Sequence, residues 1–200
     1  MRQLGVPGAW VHEPKVFTDD RGGFHEWFRG GEFAEATGRP LRLAQANHSV
    51  SVRGTVRGVH FADVPPGQAK YVSCVRGAVL DVVVDLRVGS PTFGTWEGVR
   101  LDDVNHTALF VSEGLGHAFM ALTDDATVVY LCSEGYAPAR EHAIDPLDPE
   151  LGIRWPEVPR LLLSDKDAQA PSLSEARERG LLPSYEECLA WYRRPADEQG

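Results

Sequence analysis

From about residue 40 to residue 135 the chain is cut into short apolar or alternating runs by clusters of turn residues, a rhythm that constrains its fold more than any other feature. Runs of that kind recurring at roughly ten-residue spacing specify an all-β sandwich or barrel. The clearest is Leu80-Asp81-Val82-Val83-Val84-Asp85-Leu86, where Leu80, Val82, Val84 and Leu86 share one face at period two. Gly77 before it and Gly89-Ser90-Pro91 after it mark turns. Further strands are predicted at 69–76, 96–101, 107–111, 117–122 and 127–133, a spacing that suits a double-sheet roll.

Helical signals lie towards the ends. Residues 32–37 suit one or two turns, 174–179 stop at Gly180 as at a glycine cap, and Ser184 with Glu187 has capping-box spacing for a last helix reaching about Tyr192. The polar tail 195–200 is expected to fray. With 200 residues, 42% hydrophobic and 24% charged, a single domain spanning 1–200 is expected.

No apolar run approaches the roughly 20 residues of a membrane span, and Met1 to Gly5 lacks the apolar core of a signal peptide. A cytoplasmic protein without a membrane partner is expected. Cys74, Cys132 and Cys188 have no CxxC spacing, so buried free thiols are expected. A net charge of −9 disfavours nucleic-acid binding, and an anionic ligand would need a local cationic pocket. Lysines are scarce: Lys15, Lys70 and Lys166.

Arg57, His60 and Lys70 straddle the turn Pro65-Pro66-Gly67, and two strands joined there would bring His60 and Lys70 onto one sheet face. A base beside a cation suits removal of a proton next to a carbonyl, with the cation stabilising the enolate oxygen. The same residues equally suit a hydrogen-bonded histidine and a solvated strand end. His117, after Gly114-Leu115-Gly116, fits a ligand contact, a metal ligand or a packed histidine. Tyr130, in phase with Val128 and Cys132, fits the core, or a proton donor if it faces His60 across a cavity. Asp165-Lys166-Asp167 reads as a solvated loop, or as the source of an aspartate that orients an imidazole. Gln45, Asn47 and His48 are turn residues or amides able to read a base.

Taken in order, Asp20-Arg21-Gly22, Gln45-Ala46-Asn47-His48-Ser49, Arg57-Gly58-Val59-His60, Lys70, Gly89 to Gly94, Glu113 to Phe119, Tyr136-Ala137-Pro138 and Leu163 to Asp167 resemble the dTDP-4-dehydrorhamnose 3,5-epimerase family. Its relatives in antibiotic deoxysugar pathways are included. The resemblance covers about residues 5 to 185. It implies a mainly β cupin-type jelly roll, a homodimer, no metal and no cofactor. The substrate implied is a dTDP-linked 4-keto-6-deoxyhexose, inverted through an enolate at C3, with C5 open.

On this resemblance the base falls on His60 with Asp167 as its partner, the opposing acid on Tyr130, and the enolate cation on Lys70. His117 matches a substrate contact. Nucleotide contacts fall on Arg21, Glu26, Gln45, Asn47 and Arg57, with Phe17 and Tyr136 holding the thymine ring and Glu141 and Lys166 as further binding positions. Arg21 and Arg57 would supply the local positive charge a diphosphate needs.

Three positions depart from the common pattern: Ala46 for Asp, Phe61 for Tyr after His60, and Gly135 for Tyr before Tyr136. The last two bear on the shape of the sugar pocket. Pro65 to Lys70 looks more like the antibiotic-pathway relatives, some of which invert C3 alone. Other classes are a noncatalytic cupin that binds a sugar nucleotide, and a metal-dependent cupin with His60 and His117 as ligands. The second lacks the neighbouring His-x-His pair.

Overall fold

The computed structural model describes residues 1–194; the tail 195–200, expected to fray, lies outside the described residues. The strands are β1 (Arg2–Gln3), β2 (Ala9–His12), β3 (Phe17–Asp19), β4 (Gly22–Phe24), β5 (Gln45–Ser51), β6 (Val56–Ala62), β7 (Lys70–Arg76), β8 (Ala78–Asp85), β9 (Trp96–Asp102), β10 (Ala108–Val111), β11 (Leu115–Ala121), β12 (Ala126–Cys132) and β13 (Glu141–Ala143). The helices are α1 (Gly30–Thr37), α2 (Asp165–Ala168), α3 (Leu173–Glu178) and α4 (Tyr185–Tyr192). None is long and apolar enough to cross a membrane.

The strands form a six-stranded sheet, β1-β2-β10-β7-β12-β5, and a five-stranded sheet, β13-β6-β11-β8-β9. Together they make the mainly β, cupin-type jelly roll. Val72, Leu109, Val111 and Val128 of the first sheet pack on Val79, Val83, Leu115 and Phe119 of the second, in one buried cluster. Each such apolar side chain contributes about 1.5–3 kcal/mol of burial.

The alternation along β8 holds, with a twist in its meaning. Leu80, Val82, Val84 and Leu86 do share a face, yet that face packs on Ile144, Leu151, Leu173 and Ala176 rather than on the opposing sheet. The C-terminal third of the chain therefore covers the outside of the five-stranded sheet. Among the described residues no such cover lies over much of the other sheet, where Val50 and Val75 are 52% and 50% exposed.

Helix ends follow local chemistry. Gly38, at φ 79, donates its N–H to the Ala34 carbonyl and stops α1. Ser184 caps α4 as expected, but the reciprocal box forms at Ser172 and Glu175, ahead of α3. All three cysteines are buried and free.

One expectation fails in a useful way. β6 and β7 do not pair across Pro65-Pro66-Gly67; they belong to different sheets. Proline has no N–H to continue a ladder, and the segment carries the chain across the sandwich. His60 and Lys70 therefore face each other from opposite walls instead of sharing one sheet face.

β6 also contains an irregularity that matters. His60 pairs with His117 and Arg57 with Phe119, so the span from 57 to 60 opposes the shorter span from 117 to 119. One extra residue on β6 is a bulge, and it shifts the side-chain phase by one. Arg57 and His60, which strict alternation would send to opposite faces, both line the same cavity. Gly58 permits this: at φ 124, a Cβ there would lie 2.4 Å from Ala118 Cβ.

Candidate active site

The two sheets open at one end on a cavity of about 250 Å³ whose lining includes Arg57, His60, Tyr136, Glu141, Lys166 and Asp167. His60 comes from β6, with His117 beside it on β11. Asp167 comes from α2, whose N-cap Ser164 accepts the Asp167 N–H at 3.1 Å through its hydroxyl. This cap turns the Asp167 side chain inward, and its carboxylate meets His60 Nε2 at 2.7 Å. Asp167 is 4% exposed and His60 37% exposed, so the imidazole is anchored from behind and open to the cavity in front.

Across from it the six-stranded sheet brings Lys70 near enough to His60, and Tyr130 near enough to Arg57, for their charges to act on one another. Gln45, Cys132 and Lys70 form one cross-strand row, and Asn47, Tyr130 and Val72 the next. Inward-facing residues of β12 thus place Tyr130 and Cys132 beside Lys70. Asn47 Nδ2 donates to Cys132 Sγ at 3.5 Å, and Asn47 Oδ1 accepts from Gln45 Nε2 at 2.8 Å.

Electrostatics set the protonation states. Burial pushes His60 below its ordinary value; the hydrogen bond and charge of Asp167 oppose this, while Lys70 and His117 reinforce it. Burial alone would raise Asp167, but His60, Ser164 and the Gly58 N–H outweigh it and hold the carboxyl below the usual range. Burial lowers Lys70, partly offset by Cys132, Glu141 and Asp81. Burial, aided by Cys132, raises Tyr130, against Arg57 and Asn47. Near neutral pH the site therefore holds a neutral imidazole on one wall and a protonated phenol on the other. An ionised carboxylate can only accept, so it fixes the proton on the His60 nitrogen it touches and leaves the other nitrogen basic.

Not every expected residue is brought to this cavity. Phe17 and Arg21 lie on the exposed hairpin β3–β4, and Arg21 is paired with Asp19 at 2.6 Å. Glu26 lies in the following segment, 3.7 Å from Arg29. Phe61 does not line the cavity itself: it is buried with Val59 and Ile144, on the face of β6 turned away from His60, and its ring lies 5.3 Å from that of His142, which does line it. Gly135 lies on the rim, where a Cβ would stand 3.8 Å from Gln45 Oε1.

Two residues near the site escaped the sequence reading. Asp81, fully buried, meets His117 Nε2 at 2.7 Å. Its signal was a charge inside the otherwise apolar run from Leu80 to Val84. Cys132 gave no signal beyond its phase with Tyr130. Among the described residues, no group of three or more His, Cys, Asp or Glu side chains converges as a metal would require.

The profile of a protein family described as dTDP-4-dehydrorhamnose 3,5-epimerase matches residues 3–175. A dTDP-4-dehydrorhamnose 3,5-epimerase of Mycolicibacterium smegmatis is 60% identical over 190 residues, covering 95% of this chain and 94% of that protein. A dTDP-4-dehydrorhamnose 3-epimerase of Streptomyces niveus is 62% identical over 190 residues, covering 95% and 91%. Among solved structures, ChmJ, a 3′-monoepimerase from Streptomyces bikiniensis in complex with dTDP-quinovose, superposes with a TM-score of 0.94 at 55% identity, covering 96% of this chain and 98% of that one.

Proposed function

The chain belongs to the dTDP-4-dehydrorhamnose 3,5-epimerase family, and on that premise we propose that it is an isomerase inverting C3 of dTDP-4-keto-6-deoxy-D-glucose through an enolate. The observation that carries the reading is the pairing of a carboxylate-anchored, neutral His60 on one wall with the protonated Tyr130 phenol on the other. Such a site can remove a proton from one face of a sugar ring and return one to the opposite face.

The steps balance without an external reagent. The C4 ketone acidifies the adjacent C–H bonds; neutral His60 takes the C3 proton, and the bonding pair moves into the enolate with charge on the C4 oxygen. Asp167 stabilises the imidazolium that forms. Lys70 faces the developing oxyanion from the opposite sheet. Tyr130 then gives its proton to C3 from the far side, the ketone re-forms, and both groups re-equilibrate with water. His117 contacts the sugar, while Arg57, Asn47, Tyr136 and Lys166 hold the nucleotide end.

Solvent-deuterium incorporation tests the reading. Incubated with dTDP-4-keto-6-deoxyglucose in deuterated water, the enzyme is expected to place deuterium at C3. Deuterium at C3 and C5 assigns the double epimerase; deuterium at neither carbon sinks the assignment.

The enzyme works as a homodimer in this reading. A two-stranded hairpin is marginal alone in water, yet β3–β4 stands clear with Phe17 51% and Phe24 66% exposed. It continues into a groove of about 600 Å³ on the uncovered sheet face, lined by Trp27, Val75, Val129 and Leu131 among others. A second copy covering that face would bring the hairpin's Phe17 and Arg21, with Glu26, to the neighbouring cavity. Light scattering is expected to give twice the chain mass, and Arg21→Ala to weaken dTDP binding; a monomer at assay concentration would reject the arrangement.

A further inference from the structure

The loop at 133–140 crosses the open end of the sandwich, leaving β12 in the six-stranded sheet and entering β13 in the five-stranded one. It carries Tyr136, 64% exposed at the rim of the His60 cavity. A loop has no ladder to satisfy its backbone groups, so they need other partners. Here side chains provide them. Gln68 Nε2 donates to the Glu134 carbonyl at 3.0 Å. The Tyr136 N–H donates to Gln45 Oε1 at 2.8 Å, and the Ala137 N–H to Glu141 Oε1 at 3.2 Å. The turn closes with the Arg140 N–H on the Ala137 carbonyl at 2.9 Å.

Gln45 projects from β5 on one wall and Glu141 from β13 on the other, so two consecutive amides of the loop are tied to both sheets. The remaining end of Gln45 is also engaged, because its Nε2 donates to Asn47 Oδ1 at 2.8 Å. Family resemblance makes both residues substrate contacts, yet both hold the backbone on which Tyr136 rides.

We propose that Gln45 and Glu141 are positioning residues. They strap the Tyr136 loop across the mouth from both sheets and preset its ring to stack on the nucleotide base, so their contribution to affinity runs through Tyr136. This rests on the nucleotide-sugar reading above. Ordering the loop before the ligand arrives removes an entropy cost from binding.

Calorimetric dTDP affinities for Gln45→Leu, Glu141→Leu, Tyr136→Ala and the two double variants test the point. With Tyr136 present, each leucine variant is expected to weaken dTDP about tenfold, and in the Tyr136→Ala background less than about twofold, because coupled residues are non-additive. Gln45→Leu should raise KM while leaving kcat within about twofold. Glu141→Gln keeps the acceptor and should retain dTDP affinity within about twofold of the parent. Additive losses, or a Glu141→Gln as weak as Glu141→Leu, would overturn the inference in favour of direct ligand contact. A parent that fails to bind dTDP would instead overturn the nucleotide-sugar reading, and the inference with it.

Discussion

His60→Ala is expected to abolish solvent-deuterium incorporation at every carbon, a loss of at least about 10²–10⁴-fold. Glu141 and His142 share the five-stranded wall, but Glu141 accepts the Ala137 N–H and His142 is bound to Asp63. His117 is 9% exposed and committed to Asp81, and Lys70 lies on the opposite sheet. The fold should survive, since Asp167 keeps the Gly58 N–H and the Ser164 hydroxyl as partners. A variant that binds dTDP normally yet exchanges nothing would isolate the chemical step. Retained exchange at any carbon would remove His60 from the base role.

The pH dependence of the parent carries an independent check. His60 is active when neutral, and its pKa lies below the ordinary 6.5. The neutral fraction therefore stays high as pH falls through 6.5, and kcat/KM should hold its plateau there before declining at lower pH. In Asp167→Asn the charge that favours imidazolium is gone, which moves the acid limb lower still. The proton is then no longer fixed on the correct ring nitrogen, and the plateau rate drops. An acid limb at or above 6.5 would contradict the burial argument.

Much of the fold was legible because turn residues punctuate it. Gly77, Gly89-Ser90-Pro91 and the alternation from Leu80 to Leu86 each mark a local event, and local events survive folding. What failed needed long-range geometry. Pro65-Pro66-Gly67 reads as a turn whether it makes a hairpin or changes sheets, and only the packing of the whole roll chooses the change. The bulge at Gly58 leaves no mark in a period-two reading, although it alone puts Arg57 and His60 on one face. Asp167 stands 107 residues from His60, beyond any spacing argument, and its pairing with His60 entered through family resemblance. Phe61 shows the opposite hazard: adjacent to the base in sequence, it faces away from it.

Tyr130→Phe is expected to separate two events that inversion couples. The ring still packs against the inter-sheet core, so the variant should fold and bind. His60, Asp167 and Lys70 are untouched and can still form the enolate. Without the phenol no proton arrives from the six-stranded wall, and the enolate is reprotonated on the side it was deprotonated from. The recovered 4-keto sugar should then carry deuterium at C3 with its configuration unchanged, while inverted product falls at least about 10²-fold further than exchange does. This pattern depends on the two-walled geometry: a one-base site that released and recaptured its proton would lose exchange and inversion together. Nuclear magnetic resonance of the recovered sugar reads both quantities in one sample. Equal losses would move the acid role away from Tyr130, and Lys70, another proton-bearing group on that wall, would be the next residue to test.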